Sequence, residues 1–257
     1  MGLHCRTKGV TALHRFFIDN REPIGAEIVL TGENAAHMER VLRMRAGEQF
    51  VACDGRGTDY MCALTRFENK TAVAEVLSFA PNMAEPPAPL VLFQGLPKAD
   101  KMELILQKAV ELGATEIVPV TMERCIVKLS GKETAKVERW QKIAESAAKQ
   151  SGRGCIPKVA MPVTLTESSD LAQRLGCCAV AYENEKTQLL RTFLDMNASE
   201  AKNGFGIFIG PEGGFEPAEI EQLAGAGIAS VSLGKRILRT ETAGLYALAA
   251  VGTVWEW

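Results

Sequence analysis

The glycine-rich segment at residues 206–217, GIFIGPEGGFEP, most restricts what this chain can fold into. Its apolar run ends at Gly210, two further glycines follow, and Pro217 suits the first turn of a helix. Glu216 and Glu219 suit the positive end of that helix's dipole. The segment therefore predicts a buried strand, then a loop that can bring bare backbone against a ligand, then a helix.

A second segment of similar build, VSLGKRILRTETA, follows at residues 231–243. Two glycine loops, each after a predicted strand, suggest one pocket at the carboxyl edge of a parallel sheet. A single glycine is more simply read as a turn, but two such loops favour a ligand pocket. The polar side chains available to that pocket are Glu212, Arg236, Arg239, Thr240, Glu241 and Thr242.

The chain before this region divides into two kinds of sequence. Short alternating segments predict strands at 15–18, 27–30, 50–53, 59–64 and 71–77, with one helix at 34–43. Short strands with a single helix suggest a small barrel-like β domain. Four prolines among residues 80–89 cannot continue a helix or a central strand, so we predict a semi-rigid linker there.

Strand and helix patterns alternate from residue 90 to the end. We predict strands at 90–93, 116–120, 158–163, 177–182, 205–209 and 230–233. The helices between them are expected near 101–112, 133–150, 164–176, 187–196, 217–224 and 241–254, the first with Asp100 as N-cap. Such alternation calls for a mostly parallel sheet with helices on both faces.

Composition excludes several classes of protein. Hydrophobic content of 47%, charge of 23% and a net charge of −2 are ordinary for a globular protein. No run reaches the roughly 18 apolar residues of a membrane span, and the first residues lack the apolar core of a secretory signal. Seven scattered cysteines without a CxxC pair and only three histidines predict neither a disulfide framework nor a metal site. We therefore expect a cytoplasmic protein.

Common motifs are also missing. The sequence contains no GxxxxGK[ST], no GxGxxG after a strand, no HExxH and no GxSxG. Basic residues cluster at 40–45, at 98–101 and along 132–153. A single cluster of this kind is usually a solvated face of the protein. Several clusters in one chain are equally compatible with binding of a polyanion.

The two glycine segments, IGPEGG at 209–214 and LGKRILRTETA at 233–243, resemble the cofactor-binding knot of the SPOUT methyltransferases. Segments at 37–44, 100–113, 123–125, 140–144 and 150–153 narrow the resemblance to the RsmE-type small-subunit ribosomal RNA uridine-N3 methyltransferases. The match runs in order from about Arg15 to the end of the chain. The extension before His14 is the one departure.

The sequence patterns give the extension and the linker, and the resemblance implies the nature of the two domains. Residues 1–13 would be a disordered extension, 14–80 a PUA-like RNA-binding β domain, 81–89 a Pro-rich linker, and 90–257 an α/β SPOUT domain. That domain's parallel sheet would end in a deep trefoil knot, which no periodicity predicts because true knots are nearly absent among folds. The resemblance further implies a homodimer that completes its active site across subunits. It gives S-adenosylmethionine as the methyl donor and a uridine in the decoding region of 16S rRNA, free or in the small ribosomal subunit, as substrate.

The chemistry assigns roles to the residues of the two loops. Uridine N3 becomes a good nucleophile only when its imide proton leaves. Arg239 would stabilise the resulting anion, and Glu241 or a water would take the proton. The cofactor is expected to contact Ile209, Gly210, Pro211, Glu212, Gly213, Gly214, Leu233, Gly234, Arg236, Ile237, Leu238 and Thr240. RNA phosphates are expected to contact Arg15, Arg43, Lys98, Lys101 and Arg153.

Two other functions fit the sequence. A non-catalytic RNA-binding or ribosome-assembly factor would keep the β domain but have a dead pocket. A SPOUT methyltransferase for another RNA site would share the knot but should differ in the N-terminal domain. The intact glycine loops and the Arg239–Glu241 segment favour the enzyme.

Overall fold

The structure of the chain is a computed structural model that describes residues 13–18, 25–98, 101–126, 131 and 133–255. Two sequence predictions, the extension as far as residue 12 and the N-cap at Asp100, lie outside the described residues. The chain forms two compact units, Met1–Asn82 and Met83–Trp257.

The first unit contains a five-stranded sheet with the strand order β1-β3-β4-β5-β2. Its strands are β1 (Arg15–Phe17), β2 (Glu27–Leu30), β3 (Gln49–Cys53), β4 (Thr58–Glu68) and β5 (Thr71–Pro81). The β1–β3 pair is parallel and the other pairs are antiparallel. Phe16 and Phe50 meet edge to face inside the core, with ring centroids 5.6 Å apart. The predicted small β domain is confirmed.

The helix of this unit is not the continuous α-helix that residues 34–43 predicted. It begins as α1 (Gly32–Ala36) and continues as a π-helical turn, His37–Val41. Leu42 N donates to the His37 carbonyl, a five-residue step, and Val41 at the end of this turn is 65% exposed. Arg43 then takes a left-handed conformation, φ 53°, and Met44 N donates to the Met38 carbonyl, a six-residue step that closes the end of the turn.

The second unit contains a seven-stranded sheet with helices packed against it. Its strands are β6 (Leu90–Gly95), β7 (Glu116–Thr121), β8 (Lys158–Val159), β9 (Val163–Thr164), β10 (Cys177–Ala181), β11 (Phe205–Ile209) and β12 (Ala229–Val231). Its helices are α2 (Lys101–Glu111), α3 (Glu133–Ser151), α4 (Leu165–Ala172), α5 (Leu190–Met196), α6 (Pro217–Gly225) and α7 (Thr240–Trp255), with a 3₁₀ turn at Glu200–Asn203.

All recorded strand pairs in this sheet are parallel, as the alternating pattern predicted. The order is β12-β10-β11-β6-β7-β8, with β9 beside the end of β7. The two central strands, β6 and β11, are buried at every position because elements pack on both faces. Phe93 and Phe208 stack in this core with ring centroids 4.2 Å apart. The α/β class is confirmed.

Two local predictions need correction. The single strand predicted at 158–163 is two short strands, β8 and β9, that pair with different ends of β7. The proline-rich stretch is also more than a linker. Pro81 ends β5, whereas the Pro89 carbonyl accepts from Phe205 N inside the second unit. Its residues are therefore built into one unit or the other.

Candidate functional site

The pocket predicted from the glycine loops is a cleft of about 400 Å³ at the carboxyl ends of β10, β11 and β12. Three loops line it: Ala181–Glu183 after β10, Ile209–Glu212 with Gly214 and Phe215 after β11, and Ser232–Arg239 after β12, the last leading into Thr240. Lys101, the first residue of α2, and Ala243 of α7 complete the lining. The two predicted segments do meet, and a third strand end joins them.

The first glycine loop is a tight reversal held from outside. Gly214 N donates to the Pro211 carbonyl at 2.9 Å, and Gly214 adopts φ 69°. A Cβ on Gly213 would lie 2.9 Å from Arg124 Cβ, closer than real side-chain contacts allow. Arg124 donates to the Gly213 carbonyl and to Glu216 Oε1, both at 2.7 Å. The loop is thus fixed by its own glycines and by one arginine from the β7–α3 connection.

Helix α6 begins as its sequence predicted. Glu216 is the N-cap and Pro217 occupies the first turn. The Glu219 carboxylate completes a capping box by accepting a hydrogen bond from Glu216 N at 2.8 Å. The second carboxylate oxygen of Glu219 accepts from Glu123 N. The same glutamate therefore anchors both the helix that follows the glycine loop and the segment that carries Arg124.

The second loop supplies the opposite wall of the cleft. Gly234 adopts φ 110°, a conformation that other residues rarely take. The Arg239 carbonyl accepts from Thr242 N and Ala243 N, so Arg239 stands at the N-terminal end of α7. Ile237 is 85% exposed. This wall therefore presents charged and apolar side chains to solvent from a backbone fixed at both ends.

Charges from three elements meet beside the cleft. Lys101 Nζ lies 3.0 Å from Glu212 Oε1 and 3.3 Å from Glu241 Oε2, and Lys98 N donates to Glu212. Hydrogen bonding to Glu212 raises the pKa of Lys101. Burial disfavours the charged form of Glu212, but backbone N–H groups and Lys101 outweigh it and hold its pKa below the ordinary value. Lys101 is thus a bridge between the glycine loop and α7.

A buried hydrogen-bond chain lies beneath the cleft. Gln94 Nε2 donates to Thr240 Oγ1 at 2.9 Å, and Thr240 Oγ1 donates to the Gly210 carbonyl at 2.6 Å. Gln94 and Thr240 are almost fully buried. The chain joins the ends of β6 and β11 to the start of α7.

The five residues predicted to contact RNA have different surroundings. Arg43 and the Lys98 side chain are exposed, whereas Lys101 is paired with two carboxylates. In the first unit Arg15 forms a two-pronged ion pair with Asp59 and is mostly buried. Each of these four stays a prediction.

Arg153 is a correction. It is 2% exposed, forms a two-pronged ion pair with Glu85, and donates to the carbonyls of Val110 and Ala114. Glu85 also accepts from Gly154 N and Cys155 N. With its guanidinium committed inside the second unit, Arg153 has a structural role rather than a phosphate contact. The sequence placed it in a basic run, and a partner 68 residues away gave no local signal.

Several site residues were missed or left without a role by sequence reasoning. Tyr182 and Glu183 line the cleft at the end of β10, and Lys235 lies in the second loop. Gln94 had one available signal, since it is the polar residue in the otherwise apolar strand sequence LVLFQG. Arg124 lies in the segment 123–125 that contributed to the family resemblance, but no local pattern indicated its contact with Gly213, which spans 89 residues.

The described part of the chain contains neither a metal-binding cluster nor a membrane-spanning helix. Within those residues no group of three or more histidine, cysteine, aspartate or glutamate side chains is arranged to hold a metal ion. The helices there include none of the length and apolar character needed to cross a membrane.

Comparison with known proteins agrees with this architecture. Residues 84–252 match the model of the RNA methyltransferase domain, and residues 30–77 match that of the RNA methyltransferase PUA domain. The ribosomal RNA small subunit methyltransferase E of Bacillus subtilis is 37% identical over 225 residues, which cover 86% of this chain and 88% of that protein. The protein of that name from Mesomycoplasma hyopneumoniae is 32% identical over 92% of this chain and 97% of its own.

A solved relative has the same fold. The crystal structure of a ribosomal RNA small subunit methyltransferase E from Neisseria gonorrhoeae, bound to S-adenosyl methionine, matches with a TM-score of 0.84 and 35% identity. The match covers 95% of this chain and 98% of that one. With a PUA-like unit, a parallel sheet and a cleft at its carboxyl edge, the chain belongs to the ribosomal RNA small subunit methyltransferase E family of RNA methyltransferases.

Proposed function

We propose that this protein transfers a methyl group from S-adenosylmethionine to N3 of one uridine in the decoding region of 16S rRNA. The observation that carries the proposal is the cleft formed by two glycine loops at the carboxyl ends of β11 and β12, with the end of β10 between them. The N. gonorrhoeae relative is bound to S-adenosyl methionine, and the relatives are named for the small-subunit RNA. The modified base and its position rest on the family resemblance of the sequence.

The residues of the cleft fit the cofactor. A volume of about 400 Å³ lies within the roughly 300–1,000 Å³ of small-molecule sites. Gly210 lines the cleft, and a Cβ there would lie only 3.1 Å from the Phe215 ring, so bare backbone suits this part of the wall. When bound, S-adenosylmethionine supplies an electrophilic methyl group on its sulfonium. The residues proposed to hold it are Ile209, Gly210, Pro211, Glu212, Gly213, Gly214, Leu233, Gly234, Arg236, Ile237, Leu238 and Thr240.

Arg239 and Glu241 flank the buried Thr240 and are the proposed catalytic residues. The exposed Arg239 stands at the start of α7, where its guanidinium can stabilise negative charge on the uracil carbonyl oxygens. Glu241 is the proposed acceptor of the imide proton. Its carboxylate lies 3.3 Å from Lys101 Nζ, and protonation would weaken that ion pair. A water molecule is therefore the alternative acceptor.

The RNA contacts are proposed for each unit separately. In the first unit the proposed contacts are Arg43 and Arg15. Arg43 is exposed and follows the π-helical turn. In the second unit Lys98 and Lys101 lie at or beside the start of α2. Contacts of this kind position the substrate and make its affinity fall with salt.

We also propose the quaternary structure and chain path of this family for the protein. The proposal is a homodimer whose site is completed across subunits, with the segment from 205 to the end threaded as a deep trefoil knot. Supporting the path, β11 lies between β6 and β10, both of which precede it in the chain, and α7 packs against β11. Equilibrium sedimentation tests the dimer. A monomer mass at micromolar concentration would contradict it.

The deciding experiment is mass spectrometry of 16S rRNA from a strain that lacks this gene. We expect N3-methyluridine to disappear, to return with the wild-type gene, and to stay absent with Gly213→Val, because the new side chain would overlap Arg124 and displace the glycine loop. Full retention of the modification in the deletion strain would refute the assignment.

Calorimetry with S-adenosylmethionine separates the alternatives. A protein that binds no donor would be a non-catalytic assembly factor. Binding without loss of N3-methyluridine in the deletion strain would point to another RNA site.

A further inference from the structure

Gln94 is a polar side chain at a fully buried position. It lies near the end of the central strand β6, is 0% exposed, and follows four apolar residues. An amide in such a place costs free energy unless its hydrogen bonds are made. Its Nε2 makes two, to the Gly95 carbonyl and to Thr240 Oγ1, both at 2.9 Å.

The direction of the chain is fixed by its chemistry. A threonine hydroxyl has one hydrogen, and that hydrogen goes to the Gly210 carbonyl at 2.6 Å. Thr240 Oγ1 must therefore accept from Gln94, so the amide presents its NH₂ group to Thr240 and its oxygen elsewhere. Gln94 Oε1 accordingly has no hydrogen-bond partner among the described residues, and it faces Gly244 of α7.

An apolar side chain would avoid this unmet acceptor. Buried polar groups are normally satisfied, and an exception calls for an explanation other than stability. Here the donors of Gln94 reach two points that bound the cleft. Gly210 is the first residue after β11 and begins the glycine loop, while Thr240 is the first residue of α7 and stands between Arg239 and Glu241.

We infer that Gln94 is a positioning residue for the methyl-donor site, an inference that rests on the proposed function. Through Thr240 it sets the separation of the glycine loop from the start of α7, and with it the placement of Arg239 and Glu241. Gln94 itself does not need to contact the methyl donor for this role. Because a displacement of about 1 Å can cost on the order of a hundredfold in rate, a buried link between the two walls affects binding and turnover together.

The test compares Thr240→Val and Gln94→Met with wild type. Each variant breaks the same chain, so each should weaken S-adenosylmethionine binding in calorimetry by roughly tenfold or more. The double variant should bind S-adenosylmethionine no more weakly than the weaker-binding single variant, because the effects of substitutions within one hydrogen-bond network do not add. Thr240→Ser keeps the hydroxyl and should recover most of the affinity lost by Thr240→Val.

A matched control and a second readout isolate the positioning role. Thr115 Oγ1 bonds to the Leu90 carbonyl at the opposite end of β6, so Thr115→Val should lower the urea midpoint without changing donor affinity. In donor-free protein, amide exchange of residues 210–214 and 240–243 should accelerate in Thr240→Val and Gln94→Met but not in Thr115→Val.

Unchanged affinity and exchange in folded Gln94→Met and Thr240→Val would overturn the inference and leave the proposed function intact. A wild-type protein that binds no donor would instead refute the proposed function. In that case unchanged loop exchange in the variants would refute the positioning link as well, and accelerated exchange would support it.

Discussion

Replacing Arg153 by methionine tests whether this arginine holds the second unit together. The side chain is 2% exposed and makes four hydrogen bonds, two to Glu85 and one each to the carbonyls of Val110 and Ala114. Methionine matches its length but offers no donor. The substitution would leave the Glu85 carboxylate without its cation and would remove the side-chain donor from the Val110 and Ala114 carbonyls, of which the first keeps its bond from Gly113 N.

The expected loss follows from those unpaired groups. Removing one partner of a buried ion pair typically costs about 3–5 kcal/mol, because an uncompensated charge remains. Glu85 keeps its bonds from the N–H groups of Gly154 and Cys155, which places the loss toward the lower end of that range. The double variant Glu85→Gln/Arg153→Met removes the stranded charge and should regain part of the loss.

Urea unfolding followed by tryptophan fluorescence measures the effect. Trp140, Trp255 and Trp257 are the three tryptophans of the chain, and all belong to the second unit. The matched control is Arg191→Met, which breaks an exposed pair with Asp195 and should change the free energy of unfolding by less than about 1 kcal/mol. If Arg153→Met is as stable as this control but has lost RNA affinity, the structural role is wrong and the phosphate contact predicted from the sequence is right.

Three further predictions follow from the site and its surroundings. Gly213→Val should abolish S-adenosylmethionine binding while the protein stays folded, because the valine Cβ would overlap Arg124. If the variant binds S-adenosylmethionine as tightly as wild type does, the cofactor binds elsewhere. Arg239→Ala should reduce single-turnover methyl transfer about tenfold or more and leave the urea midpoint nearly unchanged; equal losses in both would argue against a catalytic role. Although burial opposes ionisation of Glu85, Arg153 and two backbone N–H groups hold the pKa of this carboxyl below its ordinary value of 4.5. The stability that the ionised group contributes is therefore fully present above pH 4.5 and should be lost on further acidification. A Glu85→Gln protein that loses stability equally steeply with acid would contradict this prediction.

Local pattern was enough to predict most elements of the second unit. The strand at Phe205–Ile209 and the start of α6 at Pro217 follow from an apolar run, three glycines and a proline. Both are local signals that depend on residues within about ten positions. The meeting of the two glycine loops was also predictable, because the parallel strands of one sheet have their carboxyl ends at the same edge.

The remainder depends on contacts between distant parts of the chain. Arg153 pairs with Glu85 across 68 residues and Gln94 with Thr240 across 146, so neither sequence neighbourhood reveals the partner. The π-helical turn after Ala36 arises from a hydrogen-bond choice that spacing cannot distinguish from an α-helix. The sequence reading of Arg153 was wrong for this reason, since a basic run looks the same whether it is solvated or buried.

The late arrival of β11 has a consequence for how the protein is made. This strand fills the gap between β6 and β10, yet it is synthesised more than 100 residues after β6. Until then β6 exposes an unpaired edge, and pairing across such a separation is slow because the loop must close first. Nascent chains that stall before residue 205 should therefore be prone to edge-to-edge aggregation and good clients for chaperones.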